Sequence, residues 1–313
     1  METLYIVIPC YNEVEVLNET TRVLNNKIQS LIKASLISAN SKVMYVDDGS
    51  KDSTWNLIES IHKENPMFTG LKLTRNQGHQ NALLAGYMTA MEKADIVISM
   101  DADLQDDINA IDGMLTAYAN GHEIVYGVRN DRSTDSYFKK LTAESFYHLM
   151  HFLGVDIIFN HADYRLLSQK ALKDLAKFDE VNLFLRGIIP LIGYKTSVVY
   201  YERRERFAGE SKYPLRKMLQ FAFEGITSFS VKPIRMILNI AVLMFTISVL
   251  IILYTLYRYS IGATVTGWAF MNISIWFIAG LQTLLLGIVG EYIGKIYSET
   301  KKRPRYFIEQ IIE

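Results

Sequence analysis

Two uncharged apolar stretches near the C-terminus constrain this chain more than any other feature of it. Met236 to Tyr257 runs for twenty-two residues without a charge, and Trp268 to Gly290 for twenty-three. As a helix the first is about 33 Å long at 1.5 Å per residue, enough for a hydrocarbon core of about 30 Å. A pair of buried core helices is the alternative, and the lengths favour two membrane spans. The ten residues joining them, Arg258 to Gly267, carry a single charge. Residues 203–235 carry eight Lys or Arg, and the tail holds Lys295, Lys301, Lys302, Arg303 and Arg305. The positive-inside rule therefore predicts a hairpin with both termini in the cytoplasm of a multi-pass protein at the cell membrane.

Ahead of the first span, Leu215, Met218, Leu219, Ala222, Phe223 and Ile226 recur at helical spacing, with Arg216, Lys217, Gln220 and Glu224 between them. That pattern fits a helix lying in the membrane interface, or equally a core helix of the preceding domain. The organisation expected is a domain over 1–213, an amphipathic juxtamembrane region over 214–235, a hairpin over 236–290 (spans 236–257 and 268–290) and a basic tail over 291–313. Net charge is zero, so bulk charge gives no case for a nucleic-acid partner. The lone Cys10 excludes an internal disulfide framework. The start, Met1-Glu2-Thr3, lacks the basic opening and cleavage site of a signal peptide, so the first domain is expected to stay where it is made.

The first domain alternates short β-rich runs with helical stretches. Leu4–Ile8, Lys42–Val46, Thr69–Leu73, Ala94–Met100 and Glu123–Val128 read as strands, and 13–38, 52–64, 79–92 and 107–120 as helices. Alternation of this kind predicts the α/β class, with a mostly parallel sheet between helices. Ligands of such sheets sit beyond the carboxyl ends of the strands. Polar clusters fall there: Asn12-Glu13 after the first run, Asp47-Asp48 after the second, and Asp101-Ala102-Asp103 after the fourth.

In Asp101-Ala102-Asp103-Leu104-Gln105, alternate side chains of an extended segment point one way, so Asp101, Asp103 and Gln105 can converge. Three hard oxygen donors suit Mg²⁺ or Mn²⁺, with phosphates and water completing the shell. A solvated acidic turn would explain the motif in isolation; its position after a buried strand favours the metal. Asp47-Asp48-Gly49-Ser50 supplies a second acidic pair, able to accept from a uracil N–H or a ribose hydroxyl. Turn chemistry explains Gly49 and Ser50 but not the doubled Asp.

Ile8-Pro9-Cys10-Tyr11-Asn12-Glu13, Val46-Asp47-Asp48-Gly49-Ser50, Asn76-Gln77-Gly78-His79-Gln80-Asn81 and Met100-Asp101-Ala102-Asp103-Leu104-Gln105-Asp106 resemble, in order, the signatures of family 2 glycosyltransferases of the GT-A (Rossmann-like) fold. More narrowly they resemble the polyprenyl-phosphate sugar transferases, among them dolichyl-phosphate mannose synthase and the bactoprenol glucosyltransferases. Arg206-Phe207-Ala208-Gly209-Glu210-Ser211-Lys212-Tyr213 is similar to that group's acceptor loop, and the two spans match its bacterial glucosyltransferase branch.

The resemblance implies roles. Pro9, Tyr11, Glu13, Asp47, Asp48, Asp101 and Ala102 would contact the nucleotide sugar, and Asp101, Asp103 and Gln105 the metal and diphosphate. Asp163, in His161-Ala162-Asp163-Tyr164-Arg165, would be the carboxylate often proposed as base; the family has a small-residue pair where this chain has His161-Ala162. Arg165, Arg203, Arg206, Ser211 and Lys212 would bind the acceptor phosphate. The activity implied is inverting transfer of a sugar from a UDP-sugar to undecaprenyl phosphate, glucose first, with N-acetylglucosamine or mannose as alternatives. A homotetramer is implied by the same branch. A phosphate monoester has its second pKa near about 6, so the nucleophile is already largely ionised, and Asp163 is expected to orient Arg165 or sugar hydroxyls more than to take a proton. A processive synthase would show further spans and a QxxRW-type motif, a transporter more polar groups within its spans, and a non-catalytic sensor would not need both donor and acceptor residues.

Overall fold

The computed structural model describes residues 1–129, 161–180, 184–202 and 268–313, with single positions between 237 and 261. These residues fall into two compact units, one built on a sheet and one containing a long helix.

The sheet has eight strands: β1 (Leu4–Cys10), β2 (Lys42–Asp47), β3 (Phe68–Leu73), β4 (Ile96–Ser99), β5 (Ile124–Arg129), β6 (His161–Ser168), β7 (Thr196–Tyr201) and β8 (Ile308–Ile312), in the order β7-β5-β6-β4-β1-β2-β3-β8. Strands β1 to β4 are parallel to their neighbours among themselves, as the alternating pattern predicts. Their near-continuous apolar sequences follow from burial on both faces. Leu4, Ile6 and Ile8 point into the core beside α1 (Leu17–Lys33), α2 (Thr54–Glu64) and α4 (Ala110–Ala119). On the other face α3 (His79–Met91) packs so closely that a Cβ on Gly86 would meet Val7 Cγ1 at 2.3 Å. Helix α1 buries Leu17, Leu24, Ile28 and Leu31, one stripe at helical spacing.

Strand β6 was not expected. It runs antiparallel between β4 and β5, so it begins where the parallel strands end. Its register pairs Ile96 with Ser168 and Ser99 with Arg165. Two residues further, that register carries Asp163 toward Asp101, although 62 positions separate them in sequence. Two short helices follow, α5 (Gln169–Leu175) and α6 (Leu185–Leu191), the latter burying Leu185, Gly187, Ile188 and Ile189.

The basic tail also differs from expectation, because part of it belongs to the sheet. Residues 302–313 return to the first unit, where β8 closes the β3 edge in antiparallel register. Lys72 pairs with Glu309 at 2.9 Å and Lys93 with Glu313. In the other unit, helix α7 (Trp268–Lys301) contains the second apolar stretch within its 34 residues. Among the described residues no helix is long and apolar enough to cross a membrane. The first stretch and the amphipathic region over 214–235 lie almost wholly outside the described residues.

Candidate functional site

Four loops lie at the carboxyl edge of the parallel strands, and hydrogen bonds between backbone N–H groups and side-chain oxygens tie the first three together. Asn12, left-handed at φ 56°, accepts the Lys51 N–H on Oδ1 at 2.8 Å and donates its own N–H to Ser50 Oγ at 3.0 Å. The Glu13 N–H donates to Thr54 Oγ1 at 2.9 Å. Gly49 has φ 65°, and a Cβ there would strike the Arg75 carbonyl carbon at 2.5 Å, so only glycine lets the second loop pass against the third. Pro9 is half-buried in β1, while Tyr11, 39% exposed, stands at the mouth.

The acidic pair after β2 is buried and hydrogen-bonded within the protein. Asp48 is 3% exposed, and its oxygens accept the Gln77 N–H at 2.7 Å and the Gly78 N–H at 2.9 Å. Asp47 is fully buried, with Oδ1 accepting from the Ser50 N–H at 3.3 Å. The Asp48 hydrogen bonds hold the loop that leads into α3. Burial pushes both carboxyls up, and the amides pull Asp48 partly back.

After β4, Ala102 is buried and its carbonyl accepts from Thr20 Oγ1 at 2.7 Å, which pins the segment from below. Asp103 Oδ1 accepts the Gln105 N–H at 3.2 Å across a left-handed Leu104, φ 56°. A non-glycine residue in that region carries strain of the kind that collects at working sites. Gln105 is buried. The Asp101 side chain is 40% exposed, yet enclosure by neighbouring protein pushes its pKa up to about 6; His79 pulls against this, and the charges of Asp106, Asp163 and Asp103 add to it.

Asp163 completes the cluster from β6. It is 8% exposed and takes both cations within reach: Arg165 Nη2 bonds Oδ1, and Arg186 Nη2 lies 3.0 Å from Oδ2. His79 Nε2 is 3.4 Å from the same Oδ2 and 3.9 Å from Asp101 Oδ1. Burial would raise the Asp163 pKa, but Arg165 and Arg186 overrule it and hold this carboxyl well below the usual range. His79 is raised: burial lowers it, and Asp163 and Asp101 outweigh that. From the opposite side Tyr87 of α3 donates to Ser99 Oγ at 2.7 Å, and Ser99 donates to the Asp163 carbonyl.

Arg165 is 0% exposed, and its guanidinium bonds Asp163. Arg203, Arg206, Ser211 and Lys212 lie outside the described residues. His79 and Arg186 are the site residues that sequence reasoning missed. His79 stood inside a quoted motif without a role, and nothing local marks Arg186.

Among the described residues no group of three or more His, Cys, Asp or Glu is disposed to hold a metal ion by itself. Mg²⁺ is commonly bound through one or two carboxylates with substrate phosphates, and Asp101 with Asp103 fits that smaller donor set.

The α/β sheet gathers acids, a histidine and guanidinium groups at its carboxyl edge, the place where sheets of this class bind ligands. Residues 5–176 match the family described as Glycosyl transferase family 2, and residues 232–296 match the GtrB C-terminal hairpin. The chain belongs to glycosyltransferase family 2 and is a glycosyltransferase. The glycosyltransferase YkoT of Bacillus subtilis, which its name calls uncharacterized, is 52% identical over 98% of this chain and 91% of its own length. The prophage bactoprenol glucosyl transferase homolog of Escherichia coli K12 is 36% identical over 98% of both chains. Among solved structures, glucosyl-3-phosphoglycerate synthase of Mycobacterium tuberculosis matches at 15% identity and a TM-score of 0.45, over 72% of this chain and 78% of that one.

Proposed function

We propose that this glycosyltransferase moves glucose from UDP-glucose onto a polyprenyl phosphate, undecaprenyl phosphate, at the cytoplasmic face of the membrane that anchors it. The observation that carries the reading is the near end-to-end relation to the Escherichia coli bactoprenol glucosyl transferase homolog, hairpin region included. The hairpin match covers both uncharged stretches in full, and Met271, Ile275, Ile278, Leu286 and Ile293 on α7 are exposed apolar side chains that a lipid environment would cover.

Asp101 and Asp103 would hold Mg²⁺ or Mn²⁺, which when bound neutralises charge on the departing diphosphate. Tyr11 and the amide-laced loops after β1 and β2 would receive the nucleotide. The acceptor phosphate is largely ionised at neutral pH and attacks without a protein base. Asp163, held anionic by Arg165 and Arg186, is too weak a base to serve as one, and its work is orientation. Arg203, Arg206, Ser211 and Lys212 precede the amphipathic region and would meet the lipid phosphate at the membrane surface, where its apolar tail keeps it.

The test is transfer by the purified full-length protein from a panel of labelled sugar nucleotides to undecaprenyl phosphate. Label from UDP-glucose should enter the organic phase, at several times the rate from UDP-N-acetylglucosamine or GDP-mannose. Transfer from either of those alone would give the enzyme another sugar. Topology is checked separately: reporters at Met1 and after Glu313 should read cytoplasmic and a tag at Thr264 external, and an external C-terminus would refute the two-span arrangement.

A further inference from the structure

Asp163 is approached from three directions that differ in kind. Arg165 comes from its own strand and is wholly buried. His79 offers one nitrogen. Arg186 makes a two-point contact, Nη2 to Oδ2 at 3.0 Å and Nε to Oδ1 at 3.3 Å, and is 29% exposed. A guanidinium fork on both oxygens fixes the plane of a carboxylate, which a single-point contact cannot do.

Arg186 sits in the first turn of α6, and that helix is seated from α3: the Leu185 N–H donates to Gln80 Oε1 at 3.0 Å. Gln80 follows His79 directly, and both follow Gln77 and Gly78, whose amides Asp48 holds. One four-residue run thus touches the end of β2, the Asp101/Asp163 pair and the start of α6. Gly78, at φ 87°, turns the chain from the first contact to the others. Asn81 closes the run by donating its Nδ2–H to the Gln77 carbonyl at 2.9 Å.

We infer that Arg186, seated by Gln80, is a positioning residue for sugar transfer: it sets the plane of the Asp163 carboxylate beside Asp101, and the run Gln77–Gln80 links that setting to the loop held by Asp48. The inference rests on the proposed transfer to a lipid phosphate. It deepens that reading by naming what aligns the acceptor side of the site with the donor side.

The experiment is a double-mutant cycle on the full-length protein in detergent, with UDP as the affinity probe and UDP-glucose plus undecaprenyl phosphate for turnover. Arg186→Ala should lower kcat by on the order of 10–100-fold, the cost of a small misplacement at a reacting centre. UDP affinity and the KM for the lipid should stay within about threefold, because the residue acts on alignment rather than on binding. Arg186→Lys should recover only part of the loss, since an ammonium cannot span both oxygens. In an Asp163→Asn background, Arg186→Ala should cost less than about twofold more, as expected of residues acting through one another. Gln80→Ala removes no charge and carries the test by itself if Asp163→Asn does not fold: kcat should fall by about 2–10-fold, one hydrogen bond's worth. Equal losses from Arg186→Ala in both backgrounds, an Arg186→Ala kcat above half of wild type, an unchanged kcat in Gln80→Ala, or a parallel loss of UDP affinity would overturn the inference. Wild-type protein that makes no lipid-linked glucose would instead sink the proposed function, and this inference with it.

Discussion

Asp163 keeps its charge where burial opposes it, and that has a consequence for stability. Its folded pKa lies below its unfolded value of about 3.9, so the charged pairing contributes fully above that pH. The contribution is lost as the pH falls through the lowered folded value. Asp163→Asn leaves Arg165 buried without its counter-charge, an expected loss of about 3–5 kcal/mol at pH 7. Urea unfolding midpoints of the two proteins should differ widely at neutral pH and converge in strong acid. A difference that does not shrink in acid would mean the ion pairs are not its source. The acids at the strand ends were legible in the sequence, because each follows a β-rich run closed by turn residues. The company they keep was not. That Asp48 spends its oxygens on Gln77 and Gly78, and that Arg165 is sealed inside, depends on loop packing that no local motif encodes.

The elements divide in the same way. Strands β1 to β4 could be read directly, since burial on both faces leaves uninterrupted apolar runs. Strand β6 hid because His161-Ala162-Asp163-Tyr164-Arg165 interleaves ionisable residues that only a paired, buried cluster can accommodate. Strand β7 is an edge with alternating exposure, and β8 is five residues long with two polar members, so neither carries a strong pattern. Among the described residues, the α3–sheet contact is the tightest that the helices and strands make at a glycine. Gly86→Ala would push a methyl to within 2.3 Å of Val7 Cγ1 and 2.9 Å of Val46 Cγ2. Overpacking of that sort costs about 1–3 kcal/mol, and the site depends on α3 for both His79 and Gln80. Thermal unfolding should fall by several degrees, with activity lost in step with helix displacement. An unshifted Tm would show that this contact yields more easily than the geometry implies.

At the scale of the whole molecule, one sheet gathers acids, a histidine and guanidinium groups at its carboxyl edge, and the sequence places two uncharged apolar stretches after the strands β1 to β7. The tail returns to the sheet as β8 on the β3 edge. In the proposed reaction a lipid phosphate, already ionised, is the nucleophile. The most direct test compares undecaprenyl phosphate with the same polyprenol lacking phosphate, under labelled UDP-glucose and Mg²⁺, with and without EDTA. Label should enter the lipid only with the phosphate, be lost in EDTA, and fall by at least about a hundredfold in Asp103→Asn, whose lost carboxylate removes several kcal/mol of charge stabilisation. Equal labelling of polyprenol and polyprenyl phosphate, or full activity in EDTA, would contradict the proposed reaction.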